Sequence, residues 1–243
     1  MDPDLIQIRE AAEIIGVSID TLRRWDESGR FRSIRSEGGH RYYKKQDIEI
    51  YLNDLLKLAQ DWVYSGTEIP SLYYCSDSSI FQARLVKMQE KFKTEGDALL
   101  KENFSLIVSV AGEIGNNSFD HNLGSWPDVS GIFFGYDINK RQVVLADRGQ
   151  GILKTLKRVK PELIDDQEAL KVAFTEVISG RSPEARGNGL KYVRDVVTKS
   201  LKSLFFRTGN GELNLEVGSP NLDVKKTENS FHGYYRPATA SAT

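Results

Sequence analysis

The sequence predicts a multidomain protein in which a small, mainly α-helical unit precedes a larger α+β unit with helices on a mixed sheet. The chain has 243 residues, 40% of them hydrophobic, which is enough apolar material for more than one core. Apolar residues near the N-terminus recur with helical spacing. Further along, helical patterns alternate with short runs of Val, Ile and Phe that have the length of strands.

The composition restricts the classes of function. The formal net charge is −1, so any contact with nucleic acid has to come from a local basic patch. The single cysteine, Cys75, excludes a disulfide within the chain and a cysteine metal cluster. The first residues are acidic, and no apolar run approaches the roughly 18 residues that cross a bilayer. We therefore expect a cytoplasmic protein without membrane contact.

The first unit, residues 1–60, is predicted to contain a helix-turn-helix. The segment "IREAAEIIGVSIDTLRRW" breaks at "GVS", where Gly16 can end one helix in the left-handed conformation and Ser18 can cap the next. Residues 31–43 have the pattern of a two-stranded hairpin with "EGG" as its turn, and an amphipathic helix follows. Residues 61–78 lose this periodicity and contain Gly, Pro and Ser, so we interpret them as a linker. They are not wholly polar, so part of this linker can pack on a domain.

The second unit, residues 79–237, is predicted to begin with two long helices and to continue with a sheet and shorter helices. The helices are predicted at 79–96, 98–122, 151–159, 166–179 and 189–200, and the strands at 130–138, 141–147, 203–209, 212–218 and 231–236. The last residues, 238–243, have the composition of a disordered tail.

The helix-turn-helix carries a local excess of positive charge. Residues 21–45 contain eight basic and three acidic residues, which is the electrostatic pattern of a DNA-binding surface. In this motif the second helix enters the major groove, and its first residues meet base edges. The residues predicted to contact DNA are Ser18, Thr21, Arg23 and Arg24 on that helix, and Arg35, His40 and Arg41 on the hairpin.

The run "TLRRWDESGRF…GGHRYY…DI" resembles the winged helix-turn-helix of MerR-type regulators, in the version found in excisionases and some serine recombinases. The resemblance covers the whole first unit and implies double-stranded DNA as a partner. It also implies a homodimer, because such units usually work in pairs on two half-sites. The alternative is a charged three-helix domain that contacts another protein.

A polar cluster ends the second long helix of the other unit. The stretch "EIGNNSFDHN" follows the apolar run "FSLIVSVAG" and places Glu113 and Asn117 four residues apart, on one helix face. An amide oxygen is a suitable ligand for Mg²⁺. A carboxylate beside it can deprotonate a water or a hydroxyl that attacks a phosphate.

Two glycine motifs follow the polar cluster. In "LADRGQGI" an apolar strand ends at Asp147, which can accept a hydrogen bond from an exocyclic amine, while Gly149 and Gly151 allow the backbone to approach a flat ring. In "GRSPEARGNGLKYVRDVV" two glycines precede a helix, whose free amides can bind an anion. Arg181 and Arg186 can add positive charge there. Each motif alone is more typical of a turn or a helix cap.

Together, "ExxxNxxxH", "DxGxG" and "GxGL" resemble the ATP-binding fold of gyrase, heat-shock chaperones, histidine kinases and mismatch-repair proteins, the GHKL or Bergerat fold, a two-layer α+β sandwich. The resemblance implies ATP and Mg²⁺ as cofactors, with Asn117 as the metal ligand, Glu113 as the base and Asp147 as the adenine reader. Gly149 and Gly151 would shape the adenine pocket, and His121, within the first motif, would either pack in the fold or orient the neighbouring carboxylate. The phosphate loop would comprise Gly187, Asn188, Gly189 and Leu190, with the ATP lid at about 152–186.

The pattern departs from this family in two respects. The family's Gly-Thr near the last strand is Gly233-Tyr234 here, and no histidine upstream of Glu113 is a convincing phosphate acceptor. Three functions therefore stay open. The first is an ATP-binding DNA-binding regulator that hydrolyses ATP slowly. The second is a protein serine/threonine kinase of the anti-sigma type, with a protein substrate. The third is a non-catalytic nucleotide sensor that serves as a transcription or recombination accessory factor.

Overall fold

The computed structural model of the protein describes residues 4–66, 68–178, 188–219 and 221–237. These residues form two compact units, with the division between Tyr74 and Cys75. Both units combine helices with strands, so the chain is a multidomain α+β protein. Over the described ranges, no helix has the length and apolar character that crossing a bilayer requires. The predicted tail, 238–243, lies outside the described residues.

The first unit combines helices with a small antiparallel sheet of strand order β1-β3-β2. In chain order, its elements are β1 (Leu5–Gln7), α1 (Ile8–Ile15), α2 (Ile19–Glu27), β2 (Ile34–Arg35), β3 (Arg41–Lys44), α3 (Lys45–Asn53) and α4 (Leu55–Ser65). Strand β1, which the sequence pattern did not predict, pairs with β3. We call the hairpin of β2 and β3 the wing.

Helices α1 and α2 form the predicted helix-turn-helix because local signals fix the turn between them. Gly16 ends α1 with φ of 77°, in the left-handed region. Ser18 caps α2 by accepting a 3.1 Å hydrogen bond from the backbone N–H of Thr21. Leu22 and Trp25 are 0% and 3% exposed, so the inner face of α2 belongs to the core of this unit.

Asp26, in the last turn of α2, holds the wing against that helix. Its carboxylate accepts hydrogen bonds from the backbone N–H of Ser33 at 2.8 Å, from Arg35 Nη2 at 2.8 Å and from Arg41 Nε at 2.7 Å. Burial alone would raise the pKa of Asp26, but these donors outweigh it and lower the pKa from 3.8 to about 2. The wing and α2 are therefore joined through one charged group.

The first unit extends beyond the predicted boundary at residue 60. Helix α4 continues to Ser65, where Gly66 ends it with φ of 60°. Trp62 and Val63 are buried on the inner face of this helix, and Ile69 is buried in the segment that follows. Much of the predicted linker thus contributes to the first core. The Gly, Pro and Ser residues of this segment interrupt the helical periodicity, so the sequence pattern did not indicate which of its apolar residues are buried.

The second unit contains the longer elements of the chain. After β4 (Tyr74–Cys75) come α5 (Ser78–Thr94), α6 (Ala98–Asn122), β5 (Ile132–Asp137), β6 (Gln142–Asp147), α7 (Ile152–Leu156), α8 (Asp166–Thr175), α9 (Gly189–Ser200), β7 (Ser203–Glu216) and β8 (Asp223–Pro237). Asp97 caps α6 by accepting a 2.9 Å hydrogen bond from the backbone N–H of Leu100, so this helix begins where the sequence predicts.

The five-stranded sheet has the order β4-β5-β6-β8-β7. The pairs β5–β6, β6–β8 and β7–β8 are antiparallel. Short connections join β5 to β6 and β7 to β8, which favours antiparallel pairing. The predicted strands 203–209 and 212–218 are one strand, β7, whose register shifts near Gly209 and Gly211.

Helices α5 and α6 pack closely because α6 carries glycine where they touch. A β-carbon at Gly115 would lie 2.2 Å from the ring of Phe81, which is itself 0% exposed. Residues of α8 and α9, including Phe174 and Val193, complete the same apolar core beneath the sheet. This packing fixes the direction of α6 and hence the position of its polar C-terminal half.

Removing the charge of Asp26 should weaken the first unit. We expect Asp26→Asn to lower the free energy of unfolding by about 2 kcal/mol at neutral pH, because Arg35 and Arg41 lose the charged group that they share. Asp20→Asn, on the exposed side of α2, should cost less than about 1 kcal/mol. Denaturant titrations of both variants test this.

The pH dependence follows from the lowered pKa of Asp26. The stabilisation is fully present above the ordinary pKa of 3.8 and is lost as the pH falls toward about 2. The difference in unfolding free energy between the parent and Asp26→Asn should therefore be constant above about pH 5 and shrink below about pH 4. A difference that persists unchanged at pH 2 would contradict this role.

Candidate functional sites

The first and third motifs of the second unit meet at the start of α9. Glu113 and Asn117 are half-buried on one face of α6. A β-carbon at Gly189 would lie 2.6 Å from Glu113 Oε2 and 3.5 Å from Asn117 Nδ2, so a larger residue would collide with the carboxylate. Over the described part of the chain, neither side chain on α6 has a hydrogen-bond partner.

The N-terminus of α9 has the features of an anion site. Asn188 precedes the helix and makes no side-chain hydrogen bond to its first turn. The first amides of a helix carry partial positive charge, which favours a phosphate. Leu190 packs on the apolar core and anchors the helix start. The other predicted residues of this region, Arg181, Arg186 and Gly187, lie outside the described residues.

The second motif is tied to α6 through Asp147, at the end of β6. Asp147 Oδ2 accepts a 2.7 Å hydrogen bond from Ser118 Oγ, and Oδ1 accepts a 2.8 Å bond from the backbone N–H of Gly149. Ser118 is the neighbour of Asn117 on α6. Each carboxylate oxygen has two lone pairs, so Asp147 can accept a further hydrogen bond from a ligand.

Asn122 is a site residue that the sequence did not single out. It is 4% exposed, and its Oδ1 accepts a 2.8 Å hydrogen bond from the backbone N–H of Gln150. A β-carbon at Gly149 would lie 2.1 Å from Asn122 Nδ2. Gly149 is therefore required by the side chain packed against it. The only sequence signal was the position of Asn122 one helical turn after Ser118.

Thr208 is a second residue of this region that the sequence pattern did not indicate. This residue of β7 is 1% exposed, and its hydroxyl accepts a 3.1 Å hydrogen bond from the backbone N–H of Ile152. Gly151, in the left-handed region with φ of 78°, brings the chain to this point. In the sequence, the position of the family's Gly-Thr is occupied by Gly233-Tyr234. Thr208 and Gly233 are register partners on adjacent strands β7 and β8.

His121 lies one turn beyond Asn117. Burial, and next the charge of Arg158, lower the pKa of His121, although Asp147 opposes them. Its neutral form is therefore favoured. Asn116 points to α5 instead, because its Oδ1 accepts a 2.7 Å bond from Gln82 Nε2.

Among the described residues, no group of three His, Cys, Asp or Glu side chains is placed to hold a metal ion. A magnesium ion at this site would instead need the amide oxygen of Asn117 together with oxygens of the nucleotide and water. Mg²⁺ is commonly bound in this way, with few protein ligands. The residues present therefore fit a metal that arrives with a nucleotide.

The recognition helix α2 presents its arginines and buries its threonine. Arg23 and Arg24 have side chains that are 53% and 69% exposed. Ser18 is exposed but engaged as the cap of the helix. Thr21 was predicted to contact DNA, yet it is 1% exposed and its hydroxyl bonds to Ser18 and Glu68. In this structure Thr21 shapes the helix start and is not accessible to a base.

Of the wing residues that were predicted to contact DNA, some are exposed and one is engaged in contacts within the fold. His40 is exposed beside the turn, and the Arg35 side chain is 48% exposed. Arg41 was also predicted to contact DNA, but its side chain is 16% exposed and pairs with Asp26 and Glu27. Its guanidinium therefore attaches the wing to α2. The sequence could not distinguish these two roles, because both require an arginine in a basic run.

The comparisons with known proteins concern a limited part of the chain. Residues 7–43 match the model of the MerR family regulatory protein. The chain is also similar to the type II methyltransferase M.Eco47II of Escherichia coli, with 38% identity over 56 residues, which are 23% of this chain and 13% of that protein. No solved structure gives a significant match to the chain. Residues 7–43 are therefore a MerR-family helix-turn-helix domain.

Proposed function

We propose that the protein is a DNA-binding regulator whose second unit binds Mg·ATP. The observation that carries the nucleotide part is the close approach of Gly189 to Glu113 and Asn117, two polar side chains that have no hydrogen-bond partner in the described ranges of the chain. A half-buried carboxylate and amide without partners are costly unless a ligand uses them. The uncapped start of α9 supplies positive dipole at the same place.

Each residue has a role in the proposed complex. Asn117 would give its amide oxygen to Mg²⁺, and the first amides of α9 would bind phosphate oxygens. Asp147, held by Ser118, would accept a hydrogen bond from the exocyclic amine of adenine. Glu113 would hold and deprotonate the attacking water. Magnesium, when bound, supplies charge neutralisation for the phosphates.

The DNA part of the proposal depends on the first unit. The MerR-family domain supports DNA binding, and Arg23 and Arg24 are the exposed cations of its second helix. His40 and Arg35 of the wing would contact the flanking phosphates. We further propose a homodimer, so that nucleotide binding would change the spacing of two such units on DNA.

Asn117→Ala should remove the magnesium dependence of nucleotide binding. The variant lacks the only side chain that we assign to the metal, so its affinity for Mg·ATP should fall about tenfold or more. Asn116→Ala is the matched control, because the neighbouring amide faces α5. Calorimetry with a non-hydrolysable ATP analogue, with and without Mg²⁺, measures both variants. Parent-like binding by Asn117→Ala would contradict the site.

Glu113→Gln should separate binding from turnover. The isosteric amide keeps the packing against Gly189 but cannot act as a base, so ATP hydrolysis should fall about 100-fold or more with binding retained. Glu102→Gln, on an exposed part of α6, is the control. Labelled ATP with cell extract tests the kinase: label transferred to a protein supports it. A parent that binds but never turns over ATP would instead be a sensor.

Arg23→Ala with Arg24→Ala should weaken DNA binding. Loss of two phosphate contacts should lower the affinity at least about tenfold at low salt and reduce the slope of log K against log salt by about 1 to 2. Lys87→Ala with Lys91→Ala removes the same charge from exposed positions of α5. That control should bind DNA within about twofold of the parent. If both double variants bind DNA with equal affinity, the proposal that α2 contacts the DNA is wrong.

A further inference from the structure

A short segment after α4 packs over the turn of the helix-turn-helix. We call this segment, residues 68–74, the strap. Its Ser71 donates its backbone N–H to the carbonyl of Gly16 at 3.2 Å, and Ile69 is 9% exposed. Tyr73 donates its hydroxyl to the carbonyl of Leu52 at 3.0 Å. The strap is thus attached both to the turn and to α3.

The strap places a carboxylate at the beginning of the recognition helix. Glu68 accepts a hydrogen bond from the hydroxyl of Thr21, and its Oε2 lies 3.9 Å from Arg24 Nη2. Arg24 Nη2 also donates to Thr21 Oγ1 at 3.2 Å. Glu68 is 54% exposed, so these two contacts, and not burial, hold it.

The position of Glu68 matters because the first turn of a recognition helix is where the duplex approaches. A carboxylate there offers α2 the negative charge and the acceptor oxygens that a DNA phosphate would bring. It also repels the phosphates themselves. Resting on the proposed DNA binding, we propose that Glu68 acts as an internal phosphate mimic and lowers the affinity of the first unit for DNA.

The contact is suited to displacement. An exposed pair of this kind contributes at most about 1 kcal/mol, so a duplex that gains the freed Arg24 can replace it. A surface cleft of about 420 Å³ lies between the strap and the α1–α2 turn, lined in part by Glu13 and Ile69. The strap ends at Tyr74, where β4 of the five-stranded sheet begins.

The test uses the full chain and fluorescence anisotropy with a labelled random-sequence duplex of about 30 base pairs, at about 50 to 200 mM salt. Glu68→Gln should bind about three- to tenfold more tightly than the parent at low salt. Glu49→Gln, an equally charged change at an exposed position of α3, is the control for net charge. Glu68→Ala provides a second variant in case the amide forms new bonds.

A double variant separates the mimic from a general charge effect. When Arg24→Ala is also present, Glu68→Gln should raise the affinity for DNA no more than Glu49→Gln does. The reason is that the arginine with which Glu68 pairs has been removed. If Glu68→Gln raises the affinity for DNA no more than Glu49→Gln does, the proposal that Glu68 mimics a phosphate is wrong. If the Arg23 and Arg24 variants still bind DNA more weakly than the parent in the same assay, the proposed DNA binding stands. If neither the parent nor Glu68→Gln binds the duplex, both proposals fail.

Discussion

Close approach of the polar half of α6 to two other segments is the constraint on which the candidate site of the second unit depends. Gly189 lets the start of α9 reach Glu113, and Gly149 lets the loop after β6 reach Asn122. At both places a single added carbon would overlap a side chain of α6. Because these two glycines have no side chain, polar groups of α6 can lie close to two segments that are distant in the sequence.

The polar residues of this helix end divide into two groups. Ser118 and Asn122 have their hydrogen bonds satisfied within the fold, since they hold Asp147 and the backbone of Gln150. Glu113 and Asn117, nearer the N-terminus of α6, have no hydrogen-bond partner among the residues that the structure describes. The first group positions the loop, and the second faces the helix start where an anion would lie. This division supports a ligand site more strongly than the amino-acid types alone, because polar groups that served only packing would be paired.

Much of the local structure could be predicted from the sequence because the signals are local. Helix α6 begins and ends at the predicted residues, with Asp97 as its cap, and the turn at Gly16 has the expected left-handed conformation. Strand β7 was predicted as two strands because "TGNGE" has turn composition. The strand continues there because the backbone N–H of Asn210 bonds to Asp166, a residue far away in the sequence.

Contacts with distant segments also decide the surroundings of two residues that were predicted to contact DNA. Thr21 and Arg41 occupy positions where a helix-turn-helix and its wing often present side chains, but Glu68 and Asp26 engage them from other segments. Asn122 and Thr208 escaped notice for the converse reason. Their importance arises from a backbone N–H that a distant loop brings to them, which no periodicity or composition reports.

The attachment of the wing through Asp26 has a consequence for the geometry of a bound duplex. Arginines from both strands of the hairpin converge on one carboxylate of the recognition helix, so hairpin and helix move together as a single body. If the hairpin rotated relative to α2, the Asp26 carboxylate would lose its arginine partners while it is still largely buried, which is energetically costly. The distance between the exposed residues of α2 and those of the wing is therefore fixed by the protein itself.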